Sequence, residues 1–217
     1  MTFSEENYLK TIYHIITITG SAVSTNAIAE KMEMKASSVT DMLKKLAEKK
    51  LIAYKKYQGV LLTEKGMLSA KMIVRKHRLW EVFLVDKLHF SWDEVHDIAE
   101  QLEHIKSDKL INKLDDFLGN PKQDPHGDPI PDAHGNVIKL DKHLLSELKE
   151  GQIGIFVGVK DSSTEFLKYL DKNSIALGAL ITVKGVEDFD MSFNVKVDDN
   201  NLQISNKIAS NLFVQLV

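Results

Sequence analysis

Six side chains between positions 77 and 104 have the types and spacing to hold a metal ion: His77 and Glu81, then His96, Glu100, Glu103 and His104. A four-residue separation places His77 and Glu81 on one side of a helix. At about 100° per residue, the other four fall within a ~100° arc of one helix face. A packed helix would show Leu and Ile on such a face. Any one of these residues, taken singly, reads as a solvated or ion-paired helix position. A Glu-x-x-Glu-His run with a His four residues before it, and a His-x-x-x-Glu pair upstream, reads as a ligand set. Imidazole and oxygen donors suit a divalent first-row ion such as Mn(II), Fe(II) or Zn(II). One ion cannot take all six, because His96 and His104 stand about 12 Å apart along a helix axis. The pattern predicts two positions, one near Glu100, Glu103 and His104, the other near His77, Glu81 and His96.

The elements that must position these groups are legible as helices. An apolar stripe through Leu68, Met72, Leu79, Val82, Phe83 and Val85 predicts a long helix over about residues 67–86. That stripe is wider than one small domain needs, which predicts packing against a second subunit. Ser91 to Glu94 reads as a capping box opening the next helix, which carries the second ligand set. A further helix is expected over about residues 108–118.

Upstream, Thr2 to Glu5 fits a capping box for a first helix ending near Gly20. A second helix begins after Ser24. A third begins near Ser37 or Ser38, where Ser38 to Asp41 resembles a cap, and continues through Val39, Met42, Leu43 and Leu46. Two short helices joined by a tight turn form a helix-turn-helix pattern. Strands at 51–54 and 60–62 flank a basic hairpin, which reads as a wing. Lys35, Ser37, Ser38, Thr40, Asp41 and Lys44 are then expected at the major groove of double-stranded DNA, with Lys55 and Lys56 on the phosphates. A three-helix bundle that binds protein is the alternative, and charge argues against it. Between Lys31 and Arg78 there are 13 Lys and Arg against 4 Asp and Glu, in a chain whose net charge is −3.

The chain has 217 residues and 43% hydrophobic content, enough for two or three modest cores. It contains no cysteine, which excludes disulfides and zinc-finger sites built on thiolates. No apolar run approaches the ~20 residues of a membrane span, and MTFSEENYLK lacks the character of a signal peptide, so a cytoplasmic location is expected. No nucleophile motif accompanies the ligand-type residues, which argues against a metallohydrolase. All four prolines lie in residues 119–137, an irregular connecting segment. Beyond it, short alternating runs such as QIGIFVGV, FNVKV and LFVQLV predict a small β-barrel, interrupted by a helix near 165–170.

ENYLKTIY, SSVTDMLKKL, RKHRLWEVFL, HDIAEQLEH followed by SDKL, and PHGDPIP at 125–131 resemble the diphtheria toxin repressor family of metal-dependent regulators, in its long-chain manganese-responsive branch. The resemblance covers at least residues 4–131. It implies a mainly α chain with β: a winged helix-turn-helix (1–64), a helical dimerisation and metal-binding domain (65–140) and an SH3-like, FeoA-like β-barrel (141–217). It implies a cytoplasmic homodimeric transcriptional repressor, not an enzyme, that a divalent metal activates for a palindromic operator. Mn(II) is the implied ion, with Fe(II) as the alternative and Zn(II) able to substitute in vitro. The family's primary site falls on Asn7, Glu100, Glu103 and His104. Iron sensors usually carry Cys at the position of Glu100 and Met at that of Asn7; the manganese branch usually has Asp at the latter. The second site falls on His77, Glu81 and His96, completed by Asp124, His126 and Asp161. A regulator switched by an organic ligand, with the His and Glu residues structural, is the competing reading.

Overall fold

The computed structural model describes residues 1–55 and 58–217, and Lys56 lies outside the described residues. The chain forms two compact units, each drawn from three stretches.

The first unit comprises Met1–Trp80, Ala99–Asn120 and Ile130–Val137. Helix α1 (Phe3–Thr19) starts at the expected capping box: Thr2 accepts from the Glu5 N–H, and the Glu5 side chain returns to the Thr2 N–H. It stops at Gly20, whose φ of 65° continues the chain in the left-handed region. Helix α2 (Thr25–Lys31) is capped by Ser24. Helix α3 (Ala36–Glu48) begins a residue or two earlier than expected, with Lys35 at the N-cap and no side-chain cap bond. Ser38 is therefore inside the helix, not at its start. Val39, Leu43 and Leu46 recur at helical spacing and are buried with Tyr8, Leu9, Ile12 and Ile28.

The hairpin of β1 (Ile52–Lys55) and β2 (Gly59–Leu62) pairs Ile52 with Leu62 and Lys55 with Gly59. Val23 joins it through two hydrogen bonds of 2.9 Å with Val60. The long helix α4 (Glu64–Leu88) packs its first turn closely on this hairpin: a Cβ at Gly66 would lie 1.8 Å from the Leu51 carbonyl oxygen. Helix α5 (Val95–Leu102) contributes its last turn to this unit, and α6 (Asp108–Phe117) follows, capped by Ser107. Arg75 of α4 holds Asp115 of α6 at 2.6 Å.

The second unit comprises Glu81–Ile98, Pro121–Pro129 and Ile138–Val217. Its strands β3 (His143–Leu144), β4 (Ile153–Val159), β5 (Leu180–Val186), β6 (Phe193–Val197), β7 (Asn200–Ile204) and β8 (Leu212–Leu216) form one antiparallel sheet in the order β3-β8-β4-β5-β6-β7. Phe156, Ile181, Val183, Val195, Leu212 and Val214 point into its core, where they meet Leu167 and Leu170 of α7 (Thr164–Lys172). The short α8 (Asn206–Ala209) precedes the last strand. Among the described residues, no helix is long and apolar enough to cross a membrane.

Candidate metal centres and nucleic-acid surface

In the first unit, α1 and the end of α5 bring an ionisable cluster together. Helix α5 ends at Leu102, so Glu103 and His104 occupy the turn after it, not a continuing helix face. The Glu103 N–H still bonds to the Ala99 carbonyl at 2.9 Å, which keeps its side chain on the expected side. Glu103 is fully buried, and its Oε2 accepts from His77 Nδ1 and from Lys10 Nζ, each at 2.7 Å. Lys10 also binds Glu100. Burial pushes the Glu103 carboxyl up, but His77 and Lys10 outweigh it and hold it below the usual carboxylate range.

His104 is buried, and Phe3 stacks on it with ring centroids 4.5 Å apart. Its Nδ1 lies 2.7 Å from Glu6 Oε2. A carboxylate at Nδ1 fixes the proton there and leaves Nε2 as the donor toward a metal.

Two oxygens in this region carry the test of fit. Glu103 Oε1 and Asn7 Oδ1 are buried without a hydrogen-bond partner. Orphaned buried oxygens are costly in a folded protein unless something completes them. Glu103 Oε1 also lies 3.9 Å from His104 Nε2, close enough that both would hold one ion. The donors therefore fit a hard divalent cation. Of the expected primary set, Glu100 and Glu103 gather with His77, His104 meets the other oxygen of Glu103, and Asn7 lies on α1 between Glu6 and Lys10. Sequence spacing missed Glu6 and Lys10. Glu6 and Lys10 stand four residues apart on one side of α1, and Lys10 is three from Asn7, which is the available signal.

In the second unit, donor atoms of Glu81, Asp124 and His126 lie within 4.8 Å of one another, and all three residues are buried. Glu81 Oε1 is 3.5 Å from His96 Nδ1, and its Oε2 is 3.8 Å from His126 Nδ1. His126 Nε2–H donates to the Trp92 carbonyl at 2.8 Å, which turns Nδ1 toward Glu81. Burial opposes a charge on His126, but Glu81 and then Asp124 override it, and the pKa is raised to about 9. The loop is held by Asp124 Oδ1, which accepts from the His126 and Asp128 N–H groups at 2.9 Å. Gly127, with φ +83°, sits so close to β4 that a Cβ would lie 1.9 Å from the Val157 carbonyl oxygen. The structure does not bring Asp161 into this group; its Oδ1 accepts from the Ser163 N–H.

Helix α3 presents Lys35, Ser37, Ser38, Asp41 and Lys44 on its exposed side. Thr40 is half-buried and donates its hydroxyl to the Ala36 carbonyl at 2.9 Å. Lys44 pairs with Asp41 at 3.2 Å, and Lys55 is exposed at the end of β1. Not all of the local positive charge is offered outward: Lys45 and Lys49 bind the buried Glu5 at 3.1 and 2.7 Å.

Comparison with known proteins matches three consecutive segments of the chain. Residues 1–60 match the model of the iron dependent repressor N-terminal DNA binding domain, 63–132 its metal binding and dimerisation domain, and 143–216 the FeoA domain. The HTH-type transcriptional regulator MntR of Oceanobacillus iheyensis is 35% identical over 117 residues, 54% of this chain and 78% of that protein. A manganese-dependent transcriptional repressor solved in complex with manganese is 34% identical, covering 98% of this chain and all of its own, with a TM-score of 0.88. ScaR with bound Zn2+ is 36% identical at a TM-score of 0.78, covering 98% of this chain and 99% of its own. With its N-terminal, dimerisation and C-terminal segments each matched by a family model, the chain belongs to the DtxR/MntR family of metal-dependent transcriptional regulators.

Proposed function

We propose that this chain is a homodimeric repressor that binds a palindromic operator when a divalent metal, manganese in the first place, occupies its buried clusters, and that it governs manganese or iron homeostasis in the cytoplasm. The observation that carries this reading is the first cluster. Glu6, Asn7 and Lys10 belong to the helix that opens the DNA-binding segment, whereas Glu100, Glu103 and His104 belong to the dimerisation segment. The domain organisation 1–64, 65–140 and 141–217 is part of the reading.

Each residue has a task. Glu6 fixes the tautomer of His104, so that Nε2 is presented as a donor. Glu103 supplies Oε1 and Asn7 supplies Oδ1, the two buried oxygens without hydrogen-bond partners. Glu100 adds a second carboxylate, and His77 orients Glu103 through Oε2. When bound, the ion supplies a positive centre that neutralises these carboxylates. Side chains of α1 and of the end of α5 and the turn after it would hold that centre in common, and so would restrict the angle at which α3 is held. Half-site spacing of about one DNA turn requires that angle in both protomers. Glu81, His96, Asp124 and His126 form a second, supporting centre. Lys35, Ser37, Ser38, Thr40, Asp41, Lys44, Lys55 and Lys56 are assigned to the DNA surface.

Manganese displaces iron as the leading ion because Glu100 stands where a softer sulfur donor would favour iron. Operator binding titrated in parallel with Mn(II), Fe(II) and Zn(II) tests the proposal. Affinity that rises with Mn(II) supports it, and equal affinity with and without every metal overturns it.

One observation favours an organic effector instead. A cavity of about 560 Å³ in the second unit is lined by Val82, Phe90, Trp92, Leu177 and other mostly apolar groups, a size common in small-molecule sites. Calorimetric titration of the metal-free chain with Mn(II) separates the readings, because a purely organic switch predicts no stoichiometric heat.

A further inference from the structure

The first cluster offers two cation positions, and Lys10 stands in one of them. Its ammonium lies 2.7 Å from Glu103 Oε2 and also binds Glu100. Donor atoms of His77, Glu100 and Glu103 are gathered within 4.8 Å, and Lys10 sits on the two carboxylates of that set. The other face of Glu103 is different: Oε1 has no hydrogen-bond partner and lies 3.9 Å from His104 Nε2, and Asn7 Oδ1, on α1 between Glu6 and Lys10, is a second buried oxygen without one. The Lys10 side chain is only 10% exposed and is anchored from α1, one turn after Glu6.

We propose that Lys10 is a tethered cation that fills the position between Glu100 and Glu103 Oε2, and so limits this cluster to a single divalent ion at Glu103 Oε1, His104 Nε2 and Asn7 Oδ1. The inference rests on the reading of the cluster as a metal centre. Charge gives the reason. Glu6, Glu100 and Glu103 carry three negative charges and Lys10 one positive, which leaves the charge that one divalent ion cancels. A second divalent ion beside the ammonium would leave uncompensated positive charge in a buried site, which is strongly disfavoured. Asn7 adds an oxygen without a charge, so it does not alter that balance. Replacing Lys10 by a neutral side chain frees the Glu100 and Glu103 Oε2 donors, with His77 beside them, for a second ion.

The test uses the full chain, stripped of metal, with Mn(II) alone as the probe. Glu81→Ala and His126→Ala silence the second centre throughout. Equilibrium dialysis counts ions per protomer, and low-temperature electron paramagnetic resonance distinguishes an isolated Mn(II) from a spin-coupled pair. With Lys10 present, one ion and an uncoupled spectrum are expected. Lys10→Met raises the count to two, with a coupled signal, and Lys10→Gln does the same should the methionine variant not fold. Lys10→Arg keeps the cation and stays at one. Two ions in the Lys10 chain, or one ion in both neutral variants, overturn the assignment of Lys10 while leaving the metal centre standing. No bound manganese in the Lys10 chain overturns the metal centre itself, and this proposal with it.

Discussion

Glu103 is the residue whose replacement separates a metal switch from a structural ion cluster. It is fully buried, and its Oε2 takes two charge-assisted hydrogen bonds of 2.7 Å while its Oε1 takes none. Changing it to Gln keeps the shape and removes the charge. Lys10 then retains only Glu100, and His77 loses an anionic acceptor. Removing one partner of a buried pair costs about 3–5 kcal/mol, and because Lys10 keeps one carboxylate, the lower end, about 3 kcal/mol, is expected in the metal-free chain. Urea unfolding followed by circular dichroism reads that loss. The functional effect is separate. Couplings between two ligands are typically roughly 5- to 150-fold in affinity, so manganese should tighten operator binding of the parent within that range. In Glu103→Gln the ratio should fall to near one, with the dimer intact by sedimentation. A variant that loses stability yet keeps the parent's metal-dependent operator affinity would refute the reasoning, because Glu103 would then be a structural counter-ion and nothing more.

Gly127→Ala should displace the loop bearing His126, since the new Cβ would lie 1.9 Å from the Val157 carbonyl oxygen at a φ of +83°; left-handed backbone alone costs roughly 1–2 kcal/mol. Calorimetry should then show one manganese fewer per protomer, and an unchanged count would remove this loop from the second centre. Lys35→Ala and Lys44→Ala should each weaken DNA binding across all sequences and lower the salt slope by about 1, measured by fluorescence anisotropy; an unchanged slope would take that lysine off the phosphates. Glu5 is held at a pKa of about 2, chiefly by the Lys49 hydrogen bonds, against the opposing effect of burial and with help from Thr2 and Lys45. Its lowered pKa means the stabilisation is complete above about pH 4.5 and is lost as pH falls toward 2. The stability gap between the parent and Glu5→Gln should therefore close over that window in acid unfolding curves, and a constant gap would show that charge is not the cause. Thr2→Ala removes the capping oxygen of α1 and should cost about 1 kcal/mol of stability by thermal unfolding.

Local patterns determined a large part of this protein. The capping box at Thr2 and Glu5, the left-handed stop at Gly20 and the apolar spacing of Val39, Leu43 and Leu46 are short-range features, set by hydrogen bonds and side-chain directions within a turn or two. They place α1 to α3 and the hairpin almost to the residue, apart from the start of α3, where a backbone entry at Lys35 needs no capping side chain. The His and Glu spacing likewise put Glu100, Glu103 and His104 on one side of the chain. Only the tertiary structure decided what that group meets. It put Glu6 on His104 and Lys10 on Glu100 and Glu103, at sequence separations of 90 or more, and turned His77 toward Glu103. It also removed Lys45 and Lys49 from the outward positive charge by pairing them with Glu5, and left Asp161 bonded to its own turn. A residue type and a periodicity specify which face a side chain occupies. Which charge lies across that face depends on how distant helices pack, and that is where the number of cations the site accepts is set.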